Sequence, residues 1–189
     1  MLSEDVQHNV RILFIFSTIR KLVTLYILYS TSFPLYIKMF IIFLCDGIDC
    51  DLLKISKLYK HDSGNFCQSI YYQMMDKLSD TFYHIIILYY LYSRKIFSNN
   101  LIILFLILLL LRIIGVMLYI LKKGNDKKFL VYFPNFFEIF IFFFVILKDF
   151  NIKLSKNLKI LLIILLSTIQ IINEYVRTPN NKLLKYFNK

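Results

Sequence analysis

The chain has 189 residues, of which 58% are hydrophobic, and it carries a formal net charge of +11. Its mean hydropathy of +0.62 excludes an ordinary soluble domain, which needs far more polar surface, and also excludes a disordered chain. Apolar stretches near the length that crosses a bilayer recur along the sequence. The composition therefore predicts an all-α integral membrane protein with several transmembrane helices.

The positive charges lie mainly at the ends of the apolar runs, as they do in membrane proteins that face anionic lipid. No basic segment has the length or the fold motif that binds nucleic acid, so we predict the lipid bilayer as a partner and no nucleic acid. The three cysteines, Cys45, Cys50 and Cys67, are odd in number and lack the spacing of a metal site. They predict no disulfide framework.

The first predicted helix covers about 10–33, with Arg20 and Lys21 interrupting its apolar run. It follows the acidic start MLSEDVQHNV, which is unlike a signal peptide, so we expect this helix to belong to the mature protein. Pro34 separates it from a second helix over 34–56. The polar stretch KLYKHDSGNF then predicts a connector to the next helix.

The remaining predicted helices cover about 66–93, 98–121, 129–148 and 157–177. The fourth helix contains LIILFLILLLL, which is the clearest transmembrane pattern in the chain. We expect residues 1–189 to form a single domain of six transmembrane helices. Six spans place both termini on one side of the membrane, and the distribution of lysines among the loops predicts that this side is cytoplasmic.

Two pairs of aspartates interrupt the apolar pattern of the second and third helices. Asp46 and Asp49 are three residues apart, and Asp76 and Asp80 are four apart, so each pair lies on one helix face. Helices joined by a short connector are normally antiparallel neighbours. The four carboxylates are therefore expected to converge near the cytoplasmic face of the membrane.

Four converging carboxylates repel one another unless a cation lies among them. Oxygen ligands without imidazole or thiolate suit a hard ion such as Mg²⁺ or Mn²⁺. Such an ion at a membrane surface suits reactions of phosphorylated substrates. Two other interpretations stay open, namely ion pairing with Lys54, Lys57 or Lys77 and a transport path lined by the acids.

The stretches DGIDCDLLK (46–54) and YQMMDKLSD (72–80) resemble the signature of the CDP-alcohol phosphatidyltransferase family. That signature is D-x-x-D-G-x-x-A-R followed by G-x-x-x-D-x-x-x-D. All four aspartates match it in order and in local spacing. The family's six-helix architecture, with the first aspartate pair on the second helix and the second pair on the third, also resembles the predicted arrangement.

The chain departs from the signature at its small residues, at its arginine and in its spacer. The four substituted positions are Cys50, Leu53, Lys54 and Tyr72, and the spacer over 55–71 is longer than that of the family. A tyrosine or cysteine in place of glycine crowds the approach of a nucleotide to the helices. Lys54 keeps a positive charge at the arginine position but lacks the bidentate geometry of a guanidinium.

The resemblance implies an enzyme of phospholipid biosynthesis that transfers a phosphatidyl group from a CDP-linked lipid to a small alcohol and releases CMP. It implies a homodimer, a site facing the cytoplasm, and Mg²⁺ or Mn²⁺ bound by Asp46, Asp49, Asp76 and Asp80. Asp80 is also expected to act as the catalytic base. We further expect four residues to lie against the substrate: Gly47, Cys50, Lys54 and Tyr72.

Two other functions stay open at this point. The first is a catalytically inert multi-pass membrane protein that keeps the fold, and the second is an ion or proton carrier that uses the same acids. Arg112, in the fourth predicted helix, is expected either to pair with Glu138 or to bind a phosphate or polyol of the acceptor substrate. His84 is expected to be a packed polar side chain rather than a ligand.

Overall fold

The computed structural model describes residues 4–56, 70–122, 129 and 132–176. Within these residues it describes every side chain except those of 4–6, 9–10, 46–56, 70–73 and 176. The described residues form six helices and no strand. The helices are α1 (Glu4–Ser30), α2 (Leu35–Ser56), α3 (Ile70–Ser93), α4 (Asn99–Leu121), α5 (Phe136–Asp149) and α6 (Lys156–Val176).

The prediction of an all-helical chain is confirmed for this part of the sequence. Helices α2, α4 and α6 begin and end within one residue of the predicted bounds. Helix α1 begins earlier than predicted, at Glu4, and α3 is described from Ile70 onward. The first residues of the predicted third helix, 66–69, lie outside the described residues, as does the whole connector KLYKHDSGNF (57–66).

The turn between α1 and α2 is built around Pro34 and Lys38. The Pro34 carbonyl accepts hydrogen bonds from the amides of Ile37 and Lys38, both at 3.1 Å, and so starts the hydrogen-bond ladder of α2. The Lys38 ammonium donates to the Leu28 carbonyl in the last turn of α1 at 2.9 Å, and it lies 3.5 Å from the Tyr90 hydroxyl of α3. A buried cation at this helix end is favourable because helix carbonyls leave partial negative charge there.

Helices α3 and α5 end in the same motif. After α3, the Lys95 amide bonds the Tyr92 carbonyl and the Ile96 amide bonds the Leu91 carbonyl, with Lys95 at φ 49°. After α5, Asn151 takes the same place at φ 54°. This is the Schellman arrangement, in which one residue with positive φ reverses the chain and satisfies the last carbonyls. Asparagine tolerates that conformation well, whereas lysine adopts it at some cost.

Serines precede α4 and α6 at the positions that begin each helix. The Ser98 carbonyl accepts from the Ile102 amide at 3.1 Å, and the Ser155 carbonyl accepts from the Lys159 amide at 3.0 Å. The Ser155 hydroxyl oxygen also accepts from the Leu158 amide at 3.3 Å. Serine is favoured at this position because its oxygen replaces a missing helical acceptor.

Helix α5 is shorter than predicted because of Pro134. The sequence pattern predicts one helix from residue 129. Residues 129 and 132 are helical, but the helix is interrupted at residues 133–135 and α5 begins at Phe136. A proline inside a helix removes an amide donor and clashes with the preceding turn, so the helix starts after it. At about 1.5 Å per residue, the 14 residues of α5 give a rod of roughly 21 Å, which is shorter than a hydrocarbon core of about 30 Å.

Three helical segments in the described part of the chain are long and apolar enough to cross a membrane. They are Arg11–Ser30, Asn99–Leu121 and Lys156–Tyr175. The apolar part of α2, Leu35–Cys45, is shorter. These segments are compatible with a membrane protein, and the six-span arrangement and its orientation stay predictions.

The chain divides into two compact units, Met1–Ile102 and Ile103–Lys189. In the first unit α1 packs against both α2 and α3, and in the second α5 packs against α6. Each unit has its own buried apolar core. That of the first includes Leu28, Met39, Ile42, Tyr83, Ile87 and Leu91, and that of the second includes Phe105, Leu109, Tyr119, Phe137, Ile141 and Val145. The expectation of one domain over 1–189 stays a prediction.

Gly115 allows α4 to approach the segment before α5 closely. A Cβ atom added at this position would lie 2.5 Å from the Phe133 Cβ and 3.3 Å from the Phe129 carbonyl oxygen. Both neighbours are backbone or the root of a side chain, so neither rotates away easily. Any larger residue at 115 therefore forces a shift of the backbone in the second unit.

Candidate functional site

A buried polar cluster joins α1 to α3 in the first unit. Arg20 of α1 donates from Nη2 to the Asp80 Oδ1 at 2.9 Å and to the Ser79 hydroxyl at 2.8 Å. Its Nη1 lies 4.0 Å from the Asp76 Oδ1. The Arg20 side chain is only 9% exposed and that of Asp80 is 6% exposed. The contact is therefore a desolvated ion pair. Removing one partner of such a pair lowers the free energy of unfolding by several kcal/mol.

Lys77 joins the two carboxylates of α3 to each other. Its Nζ donates to the Asp76 Oδ2 at 2.8 Å and to the Asp80 Oδ2 at 3.1 Å. Asp76 and Asp80 are one helical turn apart, so their carboxylates project from the same face of α3. The Lys77 ammonium thus lies between the two carboxylates. We call the five residues of this region the carboxylate cluster: Arg20, Asp76, Lys77, Ser79 and Asp80.

Two neighbouring side chains, Ser17 and Tyr83, contact members of the carboxylate cluster. The hydroxyls of Ser17 and Ser79 are hydrogen-bonded at 2.6 Å, which ties α1 to α3 a second time. The Arg20 guanidinium carbon lies 5.2 Å from the centre of the Tyr83 ring, within the range of a cation–π interaction. Arg20 therefore has a fixed geometry set by both helices.

Sequence reasoning identified only part of this cluster. It predicted that Asp76 and Asp80 share a helix face and that Lys77 is close enough to pair with them, and both predictions are confirmed. It noted Arg20 only as an interruption of an apolar helix. The missed signal is physical, since an arginine inside an apolar run is typically paired with an acidic side chain of a neighbouring helix.

The other residues predicted for the site lie where only the backbone is described. Asp46, Gly47, Asp49, Cys50 and Lys54 are in α2, and Tyr72 is in α3, but their side chains lie outside the described residues. Lys57, expected as a possible ion-pair partner, also lies outside them. The convergence of the two aspartate pairs therefore stays a prediction.

The predicted Mg²⁺ or Mn²⁺ site includes Asp76 and Asp80, and both carboxylates belong to the carboxylate cluster. Asp76 and Asp80 present carboxylate oxygens to one common cation, and hard divalent ions prefer this kind of donor. The described side chains contain no group of three or more His, Cys, Asp or Glu residues that could hold a metal ion. A complete site thus needs ligands beyond these two, and the predicted ones are Asp46 and Asp49.

Arg112, predicted as a substrate contact or as a partner of Glu138, lies buried in the second unit. Its Nη1 donates to the Phe133 carbonyl at 3.1 Å and lies 3.6 Å from the Glu174 Oε1 of α6. The side chain is 2% exposed and its Nε has no hydrogen-bond partner among the described residues. The carboxylate that lies beside Arg112 in the structure is that of Glu174. These contacts favour a structural role for Arg112 within the second unit.

Replacing Arg112 by methionine is expected to lower the free energy of unfolding by roughly 3–5 kcal/mol, because it removes the cation beside the Glu174 carboxylate, which is only 14% exposed. The double variant Arg112→Met/Glu174→Gln is expected to lose less than the single variant. Melting of the purified chain in detergent measures both. Lys122→Met removes the same charge from an exposed position just after α4 and serves as the control, and an equal loss in that variant contradicts the assigned role.

His84 is fully buried and its ring packs against that of Tyr83, with 4.4 Å between the ring centres. This agrees with the expectation of a packed polar side chain. Of the three cysteines, only Cys45 has a described side chain, and it is a free thiol.

Searches of protein-family models, of curated proteins and of solved structures found no match to this chain.

Proposed function

We propose that the chain is an integral membrane phosphotransferase of the CDP-alcohol phosphatidyltransferase type. In this proposal it transfers a phosphatidyl group from a CDP-linked lipid to an alcohol and releases CMP. The single observation that carries the proposal is the position of the Lys77 ammonium between the Asp76 and Asp80 carboxylates. These are the two aspartates that match the second half of the family signature.

The bridged ammonium supports the proposal because it marks a point where two carboxylates stabilise one positive charge. The oxygens that face Lys77 are 2.8 Å and 3.1 Å from its Nζ, and carboxylate oxygens are the donors that a hard divalent ion prefers. Asp46 and Asp49 of α2 are proposed to complete the ligand set. When bound, Mg²⁺ or Mn²⁺ would neutralise the diphosphate of the substrate and its leaving group.

The residues of the chain then have separate roles. Asp80 is proposed to accept the proton of the acceptor hydroxyl. The resulting oxygen forms a bond to the β-phosphorus of the CDP-linked lipid, and the bond from that phosphorus to the CMP oxygen breaks. Arg20 is proposed to hold Asp80 in place, because Arg20 donates a hydrogen bond to the Asp80 Oδ1. The other carboxylate oxygen, Oδ2, faces Lys77.

Lys54 is proposed to face the substrate phosphates in place of the family arginine. A lysine supplies a point charge rather than a two-donor fork, so it neutralises phosphate with weaker control of geometry. Gly47, Cys50 and Tyr72 are proposed to border the nucleotide. The altered small residues predict a nucleotide position that differs from the family's.

The test is CMP release by the full chain purified in detergent. CDP-diacylglycerol is supplied with glycerol phosphate, inositol, serine or choline as acceptor, in Mg²⁺, in Mn²⁺, or in EDTA. The proposal predicts release of CMP with at least one acceptor in the presence of either metal and none in EDTA. No release with any acceptor in either metal contradicts it.

A second candidate is a catalytically inert membrane protein that keeps the same helical arrangement. It is favoured by the charge balance of the carboxylate cluster, where Arg20 and Lys77 already offset the charges of Asp76 and Asp80. Such a neutral network requires no metal to be stable. This candidate predicts that purified chain takes up neither Mg²⁺ nor Mn²⁺ and releases no CMP.

A further inference from the structure

Three positive charges lie at one end of the first unit, where α1 and α3 end and α2 begins. Lys38 is in the first turn of α2, and Arg94 and Lys95 follow α3 directly. The two segments that form this end, 25–45 and 85–102, contain no aspartate or glutamate. These segments therefore supply no acidic side chain that could offset the three positive charges.

Two tyrosine rings connect the cations of this end. The Lys38 Nζ lies 5.6 Å from the centre of the Tyr90 ring, and the Arg94 guanidinium carbon lies 5.8 Å from the centre of the Tyr29 ring. The two rings meet edge to face, with 5.1 Å between their centres. The cations thus belong to one continuous surface. We call it the basic–aromatic end, and its residues are Tyr29, Lys38, Tyr90, Arg94 and Lys95.

The two cations that lie over the rings differ in exposure. Lys38 is only 7% exposed, and its ammonium contacts two neutral groups, the Leu28 carbonyl at 2.9 Å and the Tyr90 hydroxyl at 3.5 Å. A desolvated ammonium among neutral dipoles is stabilised further by a nearby anion. Arg94 is exposed, and its guanidinium has the planar pair of donors that matches the oxygens of a phosphate.

The surroundings of the basic–aromatic end are those of a membrane interface. The segment Arg11–Ser30, which is long and apolar enough to cross a membrane, ends here. Exposed tyrosines lie on the adjoining turns of α1 and α3, namely Tyr26, Tyr89 and Tyr92. Tyrosine is favoured at the level of the lipid headgroups because its ring is apolar and its hydroxyl is hydrated. An anion that reaches Arg94 at this level is therefore expected to be a lipid phosphate.

We propose that the basic–aromatic end binds the phosphate of an anionic lipid headgroup. Arg94 donates to the phosphate oxygens, the Tyr29 ring holds the guanidinium in place, and Lys38 adds a second positive charge. A zwitterionic headgroup also has a phosphate, but its own ammonium is repelled by the cations of this end. The surface therefore selects phosphatidylglycerol over phosphatidylcholine.

This binding surface is separate from the reaction proposed above. Asp80 and Arg94 lie near opposite ends of α3, and fourteen residues of helix correspond to roughly 21 Å along the axis. The lipid bound at the basic–aromatic end is thus distinct from a substrate at the carboxylate cluster. Lipid binding here is expected whether or not the chain releases CMP.

Native mass spectrometry of the full chain in detergent tests the proposal. The chain is titrated with phosphatidylglycerol or with phosphatidylcholine of the same acyl chains, and the Kd of the first bound lipid is measured. The wild-type chain is expected to bind phosphatidylglycerol at least about fivefold more tightly. Arg94→Gln is expected to weaken phosphatidylglycerol binding by about fivefold, and Arg94→Gln/Lys95→Gln by more than about tenfold, with little change for phosphatidylcholine.

Two further variants separate a defined site from general attraction by positive charge. Tyr29→Leu keeps every charge but removes the ring beside Arg94, and it is expected to weaken phosphatidylglycerol binding by about two- to threefold. Arg11→Gln is the matched control, because it removes an exposed arginine near the opposite end of α1. It is expected to change the Kd for phosphatidylglycerol by less than about twofold.

Three outcomes would overturn the proposal. The first is equal affinity of the wild-type chain for the two lipids. The second is a loss in Arg11→Gln as large as that in Arg94→Gln, which would mean that overall charge sets the affinity. The third is displacement of phosphatidylglycerol by an excess of inorganic phosphate but not of chloride at equal ionic strength, which would identify free phosphate as the ligand.

Discussion

Asp80→Asn is expected to lower the rate of CMP release by roughly 10²–10⁴-fold. The amide cannot accept the proton of the acceptor hydroxyl, and it is a poorer ligand for a divalent ion than a carboxylate. Initial rates of CMP release from CDP-diacylglycerol, with Mg²⁺ at saturation, measure the effect. The size of the loss follows from placing two roles, metal ligand and base, on the same side chain.

The control for this prediction is Asp149→Asn, at the exposed end of α5. It removes the same charge from a position outside the carboxylate cluster and is expected to leave the rate unchanged. Because Asp80 also pairs with Arg20, helix content and elution from a sizing column must be shown to match those of the wild-type chain. A folded Asp80→Asn variant with wild-type rates contradicts the base role.

Arg20→Met is expected to have the largest effect on stability in the first unit, a loss of roughly 3–5 kcal/mol in the free energy of unfolding. The change removes the Arg20 donor from the buried Asp80 carboxylate and from the Ser79 hydroxyl. Methionine keeps much of the volume of the arginine stem, so the loss reports on polar contacts rather than on packing. Thermal melting in detergent at neutral pH measures it.

Lys21→Met serves as the control for Arg20→Met, because it removes the positive charge of the next residue on the same helix. Its expected effect is within about 0.5 kcal/mol. A double-mutant cycle with Asp80→Asn isolates the coupling between Arg20 and Asp80, which is expected to reach about 1–3 kcal/mol. Additive effects of the two changes would contradict the assigned ion pair between α1 and α3.

The helices could be predicted from the sequence because their ends are marked by local chemistry. Pro34 precedes α2, and Ser98 and Ser155 precede α4 and α6. Each accepts hydrogen bonds from backbone amides within the next four residues. The break before α5 could not be predicted from apolar content, because the apolar pattern continues through Pro134. Proline interrupts a helix because it lacks an amide donor and clashes with the preceding turn. This effect of Pro134 outweighs the helical pattern of apolar residues around it.

The partners of the buried cations could not be predicted in the same way. Arg112 has two acidic candidates, Glu138 and Glu174, and only the packing of the second unit decides between them. Likewise Arg20 is far in sequence from Asp80 and meets it because α1 packs on α3. Contacts of this kind depend on the tertiary arrangement, whereas the shared face of Asp76 and Asp80 follows from helical spacing alone.

Apolar content alone does not establish how many helices cross the membrane. Six apolar helical patterns predicted six spans, but only three of the described helical segments have the length and hydropathy to cross a bilayer. Helix α5 is too short for a straight crossing, and α3 carries Asp76, Lys77 and Asp80 in its first half. The charges that identify the candidate site are thus the same residues that weaken the transmembrane pattern of the helix that bears them.

The central claim is that Asp76 and Asp80, together with Asp46 and Asp49, bind one divalent metal ion. The most direct test is titration of the purified chain in detergent with Mn²⁺, in which the electron paramagnetic resonance signal of free Mn²⁺ reports the unbound ion. The account predicts saturable uptake by the wild-type chain and loss of that uptake in Asp76→Asn and in Asp49→Asn. Free Mn²⁺ that rises in proportion to every addition, or uptake that is equal in all three proteins, would contradict it.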